Sequence, residues 1–451
     1  MPAPTPIGRS LDERRHAIVD GRRPGGQRQD VLEWLAGLRS RWAATLRQWQ
    51  QRHAASRQQW RDALAEPDPL ERHRRALALS LDQPPMQGNR VDALPDARAA
   101  GIEMLDAIAI ARDHINIEAC LVETEGAGPE LAKRLIAKRR EGVKVNVLLD
   151  RSRCLPAFGG RLNELREAGV QMCRREPLPA ASRKRAQSAP DPDLPLELLI
   201  VDGRIAFIGS MSCIRRALSA SNMRWPETGQ PWRDLHVRIQ GPVVARLQEL
   251  FIDHWCAQAG AHPRLARYFP PPKPAGVQDV GVASHSALGA SLWHAIELSQ
   301  DRVCVMAAGF APPRRILHAL CRAAQRGVAV SVVLSRPRDH RPSLRCAPYQ
   351  GMLLGSGVRL FERRQTTPRT KAVVIDGAWA GVGLCGLERR RMSNEAEAEA
   401  EVVMVDADVA SELENLFTDQ LASAIEVTLP WNWRHRLQCA LQSLGLRPGR
   451  R

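Results

Sequence analysis

One segment of this chain occurs twice. Leu198-Leu-Ile-Val-Asp202-Gly-Arg-Ile-Ala206-Phe-Ile-Gly209 is matched by Ala372-Val-Val-Ile-Asp376-Gly-Ala-Trp-Ala380-Gly-Val-Gly383, with Asp-Gly, Ala and Gly at the same offsets. Each copy is an apolar run, an Asp-Gly pair and a second apolar run, the pattern of a β-hairpin with a tight turn. The surroundings repeat as well. Arg140-Glu-Gly142-Val-Lys-Val matches Gln325-Arg-Gly327-Val-Ala-Val, Ala168-Gly-Val170 matches Ser356-Gly-Val358, and Leu250-Phe-Ile-Asp253 matches Leu416-Phe-Thr-Asp419. A duplicated half constrains the fold strongly: two like lobes, with a site expected between them.

Strand and helix patterns alternate through both copies from Ala99 onward. Runs of buried-type Val, Ile and Leu alternating with helical stretches predict a mixed or mostly parallel sheet covered by helices, an α/β fold. The expected division is a basic N-terminal extension over 1–88, a first lobe over 89–265 and a Pro-rich linker over 266–282. A second lobe over 283–428 and a C-terminal amphipathic helix with a basic tail over 429–451 complete it. Within the extension, Val31, Leu35, Leu38, Trp42, Leu46, Trp49, Trp60 and Leu64 recur at helical spacing among arginines. That predicts an amphipathic helix, which packs on protein or adsorbs to an anionic bilayer.

Further collinear segments widen the match to Pro85–Pro430: Gln87-Gly-Asn-Arg-Val-Asp-Ala-Leu, Trp232-Arg-Asp-Leu-His-Val-Arg-Ile-Gln-Gly and Gly309-Phe-Ala-Pro-Pro. With them the chain resembles the phospholipase D superfamily, most closely its bacterial cardiolipin synthase branch. The resemblance implies two phospholipase D-like lobes related by pseudo-twofold duplication, and one His-x-Lys-x-x-x-x-Asp motif per lobe. In such a motif pair, one histidine attacks phosphorus, the other protonates the leaving alcohol, and the lysines hold the phosphate oxygens.

Both histidines are missing. Counting back from Asp202 puts Pro195 in the His place and Glu197 in the Lys place; in the second half Arg369 takes the His place, while Lys371 and Asp376 are kept. Proline offers neither nucleophile nor proton, and arginine stays protonated, so covalent catalysis by the family route has lost its nucleophile. The surviving motif positions are Asp202, Lys371 and Asp376, and the expected phosphate-binding set is Arg369, Lys371 and Ser210. The Asp-Gly pairs are also good turn chemistry whatever the function. His236 and His285 are the histidines best placed by pattern to approach the cleft.

The 65 Lys+Arg against 49 Asp+Glu give a net charge of +16, which favours an anionic partner. Ten singly scattered cysteines carry no metal-ligand spacing and fit a reducing compartment. The expectation is therefore a cytoplasmic protein, peripheral on the inner face of the membrane, with no cofactor and no metal. Three readings compete. The first is a catalytically degenerate member that binds anionic phospholipid or a catalytically intact paralogue. The second is an active phosphatidyltransferase of the cardiolipin synthase type, and the third, ranked below both, is a nucleic-acid-binding member.

Overall fold

The computed structural model describes residues 58–81, 83–119, 127–150, 159–175, 197–209, 233–259, 268–284, 289–307, 310, 312–336, 347–366, 371–383, 387 and 400–428. Most of the amphipathic stretch at 29–65, the C-terminal helix expected at 431–444, Pro195, Ser210, His285 and Arg369 lie outside the described residues.

After helix α1 (Pro69–Ser80) the first half runs β1 (Met86–Asp96), α2 (Ala97–Ile110), β2 (His114–Ala119), α3 (Ala127–Arg140) and β3 (Lys144–Asp150). It continues with α4 (Gly159–Glu167), β4 (Gln171–Arg175), β5 (Glu197–Val201), β6 (Ile205–Gly209), β7 (Arg233–Gln240) and α5 (Val244–Ala259). The second half repeats this order: β8 (Gln278–Ser284), α6 (Ala290–Leu298), β9 (Arg302–Ala307), α7 (Arg314–Gln325), β10 (Ala329–Arg336) and α8 (Ala347–Gly355). Then come β11 (Arg359–Thr366), β12 (Ala372–Ile375), β13 (Trp379–Val382), β14 (Ala400–Val405), α9 (Ala407–Ala422) and the short β15 (Ala424–Glu426).

Hydrogen bonding links all strands in the order β4-β3-β2-β5-β6-β7-β1-β8-β14-β13-β12-β9-β10-β11-β15. Read outward from the β1–β8 junction, the two arms have the same order, and β15 is an addition to one edge. In each arm the three outer strands of the repeat are parallel and the rest antiparallel. The repeated Gly-Val blocks end the helices that feed the parallel strands. Gly142, Gly169, Gly327 and Gly357 all have φ between +85° and +94°. Around the first of them, Gly142 N donates to Arg139 O and Val143 N to Lys138 O, the bond pair of a Schellman cap.

Alternating side chains feed three cores. Ile115, Ile117, Leu199 and Val201 pack outward under α2, α3 and α4. Val303, Val305, Val373 and Ile375 do the same under α6, α7 and α8, where Leu77 of α1 joins them. The opposite faces of both arms, through Leu198, Ile200, Cys304, Met306, Ala372 and Val374, share one middle core with α5 and α9. The stretch expected to be an N-terminal extension thus contributes α1 to the second lobe. Within the stretch expected to be a Pro-rich linker, Ala275 N donates to Gly88 O, and β8 begins at Gln278.

Candidate functional site

The two hairpins are built alike. Asp202 and Gly203 have φ of 52° and 60°, and Asp376 and Gly377 have 53° and 61°. Two successive residues at positive φ make the tight turn that matches the strand twist, which is why Asp-Gly recurs there. The aspartates are fully used by this geometry. Asp202 Oδ1 accepts from the Asp113 and His114 amides at 2.8 and 2.9 Å, and Oδ2 from the Arg112 amide at 2.9 Å. Asp376 Oδ1 accepts from the Asp301 and Arg302 amides at 2.9 and 3.1 Å, and Oδ2 from the Gln300 amide at 3.0 Å. Each carboxylate clasps the bend that leads into β2 or β9.

Their placement separates them from the rest of the motif. Asp202 follows the last residue of β5 and Glu197 is its first; Asp376 follows β12 and Lys371 precedes it. At about 3.3 Å per residue, five residues of strand put roughly 16 Å between the two ends. The aspartates expected among the catalytic positions hold the far end of the strand in place, away from the Lys places.

Asp376 carries an additional load. Arg72 Nη2 of α1 lies 3.0 Å from its Oδ2 and His73 Nε2 lies 3.2 Å away, with all three side chains at most 2% exposed. Burial alone would raise this carboxyl, but hydrogen bonds from His73 and from the Asp301 and Gln300 amides, with the His73 charge, hold it well below the usual carboxylate range. Pattern reading missed Arg72 and His73. The available signal was Asp68-Pro69, an N-cap followed by Pro at the first helical position, which announces α1.

At the Lys end the register aligns a row. Glu197 pairs with Gly209, Gly209 with His236, and His236 with Leu94. A Cβ on Gly209 would meet the His236 ring at 2.6 Å, so only glycine fits beneath that imidazole. His236 is fully buried, and burial pushes its pKa down to about 3. It is a neutral ring packed in the sheet. In the second half, Gly383 N donates to Lys371 O at 3.0 Å. One step beyond the Val382–Val402 pair the register places Gly383 beside Glu401. Glu401 is also buried and accepts from the Gly289 amide at 3.0 Å. The second half thus presents a half-buried cation at the mouth of β12 where the first half has Glu197.

A second polar group lies at the same end of the first half. Glu118 of β2 pairs across from Leu198, one residue from Glu197, and its Oε2 is 2.7 Å from His254 Nδ1 of α5. His254 directly follows the repeated Leu250-Phe-Ile-Asp253 block, and periodicity gave no reason to single it out. Among the described residues no group of three or more His, Cys, Asp or Glu is arranged to hold a metal.

Comparison with known proteins agrees with this architecture. Residues 292–421 match the family model described as cardiolipin synthase, PLD-like domain. Cardiolipin synthase A of Pseudomonas putida is 30% identical over 384 residues, covering 81% of this chain and 75% of that protein. The protein of the same description from Pseudomonas aeruginosa is 28% identical over 385 residues, covering 83% and 75%. Among solved structures, the phosphatidylserine synthase of Haemophilus influenzae superposes with a TM-score of 0.56 at 12% identity, covering 84% of this chain and 98% of that one. At that identity the likeness concerns the fold.

Proposed function

This chain belongs to the cardiolipin synthase branch of the phospholipase D-like family, and from that premise we propose that it binds the phosphate of an anionic phospholipid headgroup without the family's two-histidine turnover. The make-up of the motif places carries this reading. Pro195 and Arg369 stand where the resemblance requires nucleophile and acid, and neither can do that work. Lys371 at the start of β12 remains able to grip a phosphate oxygen, with Arg369 two residues before it in sequence. Glu197 opposes that grip in the first half, so binding is asymmetric and leans on the second. No helix among the described residues is long and apolar enough to cross a membrane. The net charge of +16 supports contact with an anionic membrane face, alone or beside a catalytically intact paralogue.

A second reading, an active phosphatidyltransferase, is favoured by the extent of the similarity to cardiolipin synthase A. One set of measurements separates the two. Vesicle flotation should show salt-sensitive binding to anionic vesicles and little to neutral ones. Lys371→Glu should weaken it about tenfold and Glu197→Lys strengthen it, each on the order of 1.4 kcal/mol. Phosphatidylglycerol incubated with the protein should yield no cardiolipin. Turnover that disappears on Lys371→Ala establishes the second reading, and preferential salt-sensitive binding to DNA would remove the lipid one.

A further inference from the structure

Three connections of the first half meet at the turn end of the sheet, where Asp202 clasps the bend into β2. Arg112 N donates to Asp202 Oδ2 at 2.9 Å, Lys144 N donates to Asp113 O at 2.9 Å, and Arg204 lies two residues past Asp202 in the hairpin turn. Arg140 ends α3, and Lys138 Nζ of that helix reaches Ala111 O at 3.3 Å. Arg112, Arg140 and Arg204 are exposed and Lys144 is half-buried, and none of them meets a carboxylate among the described residues. The carboxylates of these connections are committed elsewhere: Asp202 to backbone amides, Asp113 to His114, and Glu141 to Lys138. The second half shows that the fold does not require this cluster. Its aligned places are Gln300, Gln325, Ala329 and Ala378, all uncharged. Its own cations at that end, Arg302, Arg326 and Arg359, pair with Glu414, Glu297 and Glu426.

We infer that this end of the first lobe is a docking surface for an anionic lipid bilayer. Ile110 favours lipid over other polyanions. It ends α2 two residues before Arg112 and is 64% exposed. Guanidiniums at the level of the phosphates leave such a side chain beside the acyl boundary, where its burial adds to the charge attraction. A nucleic-acid surface gains little from an exposed isoleucine, and the rings on which single strands stack are missing, since these connections contain no Phe, Trp or Tyr. The inference goes beyond the phosphate-binding reading above and does not depend on it, because Glu197 lies at the other end of β5, roughly 16 Å from the turn. A bilayer held at the turns leaves the motif end of this lobe facing away from it. A headgroup taken at the motif end then belongs to a second bilayer.

The test is flotation of the full chain with vesicles of phosphatidylglycerol mixed with phosphatidylcholine, in a Lys371→Ala background that removes the motif cation. Giving the cluster the residues of the second half (Arg112→Gln, Arg140→Gln, Lys144→Ala and Arg204→Ala) should lower affinity about tenfold or more. Removing as many cations elsewhere (Lys133→Gln, Arg246→Gln, Lys273→Gln and Arg314→Gln) should change it less than about threefold, since those residues lie outside the docking surface. Ile110→Ala should weaken binding several-fold even at high salt, where the charge attraction is screened. Equal losses in the two fourfold variants overturn the inference, as does unchanged affinity in the first of them or in Ile110→Ala. Binding to duplex DNA but not to vesicles overturns the lipid assignment. The phosphate-binding reading is judged separately, by whether Lys371→Ala alone weakens binding.

Discussion

Leu298 and Ile110 hold the same place in their halves, at the end of the helix that leads into the first parallel strand. Leu298 is 4% exposed and Ile110 is 64% exposed. The reason lies in the neighbouring strands. In the second half Gly381, Val403 and Gly281 lie in one row across the sheet, and α1 seats there, with Leu81 over Gly281 and Leu77 in the core. The matching row of the first half is Phe207, Arg238 and Asp92. Arg238 lies 3.8 Å from Asp92 and 3.5 Å from Glu103 of α2, an ion-paired row that a further helix such as α1 could not cover cheaply. One repeat has become a seat for α1, and the other holds a partly buried ion-pair row that α2 reaches through Glu103. The same division runs through the turn aspartates, since Asp376 is enclosed by Arg72 and His73 and Asp202 is held by main-chain amides.

The comparison is most exposed to failure at those aspartates. Asp376→Ala strands a buried guanidinium and should cost about 3–5 kcal/mol, whereas Asp202→Ala loses amide bonds at a partly exposed turn and should cost about 1–3 kcal/mol. Chemical denaturation midpoints decide it, and equal losses would mean that α1 adds nothing to the second turn. Next in size is the seat itself. Leu298→Ala should cost about 2–4 kcal/mol and Ile110→Ala no more than about 0.5 kcal/mol, read the same way.

Acid should separate the halves by window. Asp376 has its folded carboxyl held below its unfolded value, so its contribution is complete above the ordinary value of 3.8 and is lost as pH falls below it. His236 is a buried base pushed down to about 3 from 6.5, so the fold favours the neutral ring and loses stability as pH falls between those values. Each group contributes at most ~1.4 kcal/mol per pH unit within its window. His294 of the second half, pushed to about 4 mainly by burial, adds to the upper window. His236→Gln should therefore flatten the stability profile between pH 6 and pH 4 only in part, and Asp376→Asn should flatten it below pH 4. A His236→Gln profile that superimposes on wild type would contradict the buried neutral ring.

Much of this fold is legible in the sequence because its signals are local. Asp-Gly between apolar runs specifies the hairpins, and Gly-Val after a helical run specifies the cap and the parallel strand that follows. The partners of those elements are another matter. Arg72 and Asp376 are 304 residues apart, and His254 and Glu118 are 136 apart, so no spacing rule connects them. Motif counting treats Lys371 and Asp376 as one cluster because five residues separate them. In a helix they would lie close, but an extended strand places them at opposite ends. The middle core was equally hidden, since the faces that meet through α5 and α9 come from both repeats.

The β1–β8 junction has a consequence for how such a chain changes over evolutionary time. Two free copies meeting at that edge would find each other at a rate set by concentration, and every substitution would appear in both. Joined in one chain, the partner is present at a fixed effective concentration and each copy mutates alone. Selection can then keep a lysine in one copy while the other drifts to glutamate, and a charged row in one while the other acquires a helix. Covalent joining of two repeats that meet at the β1–β8 junction is thus what permits them to stop being equivalent.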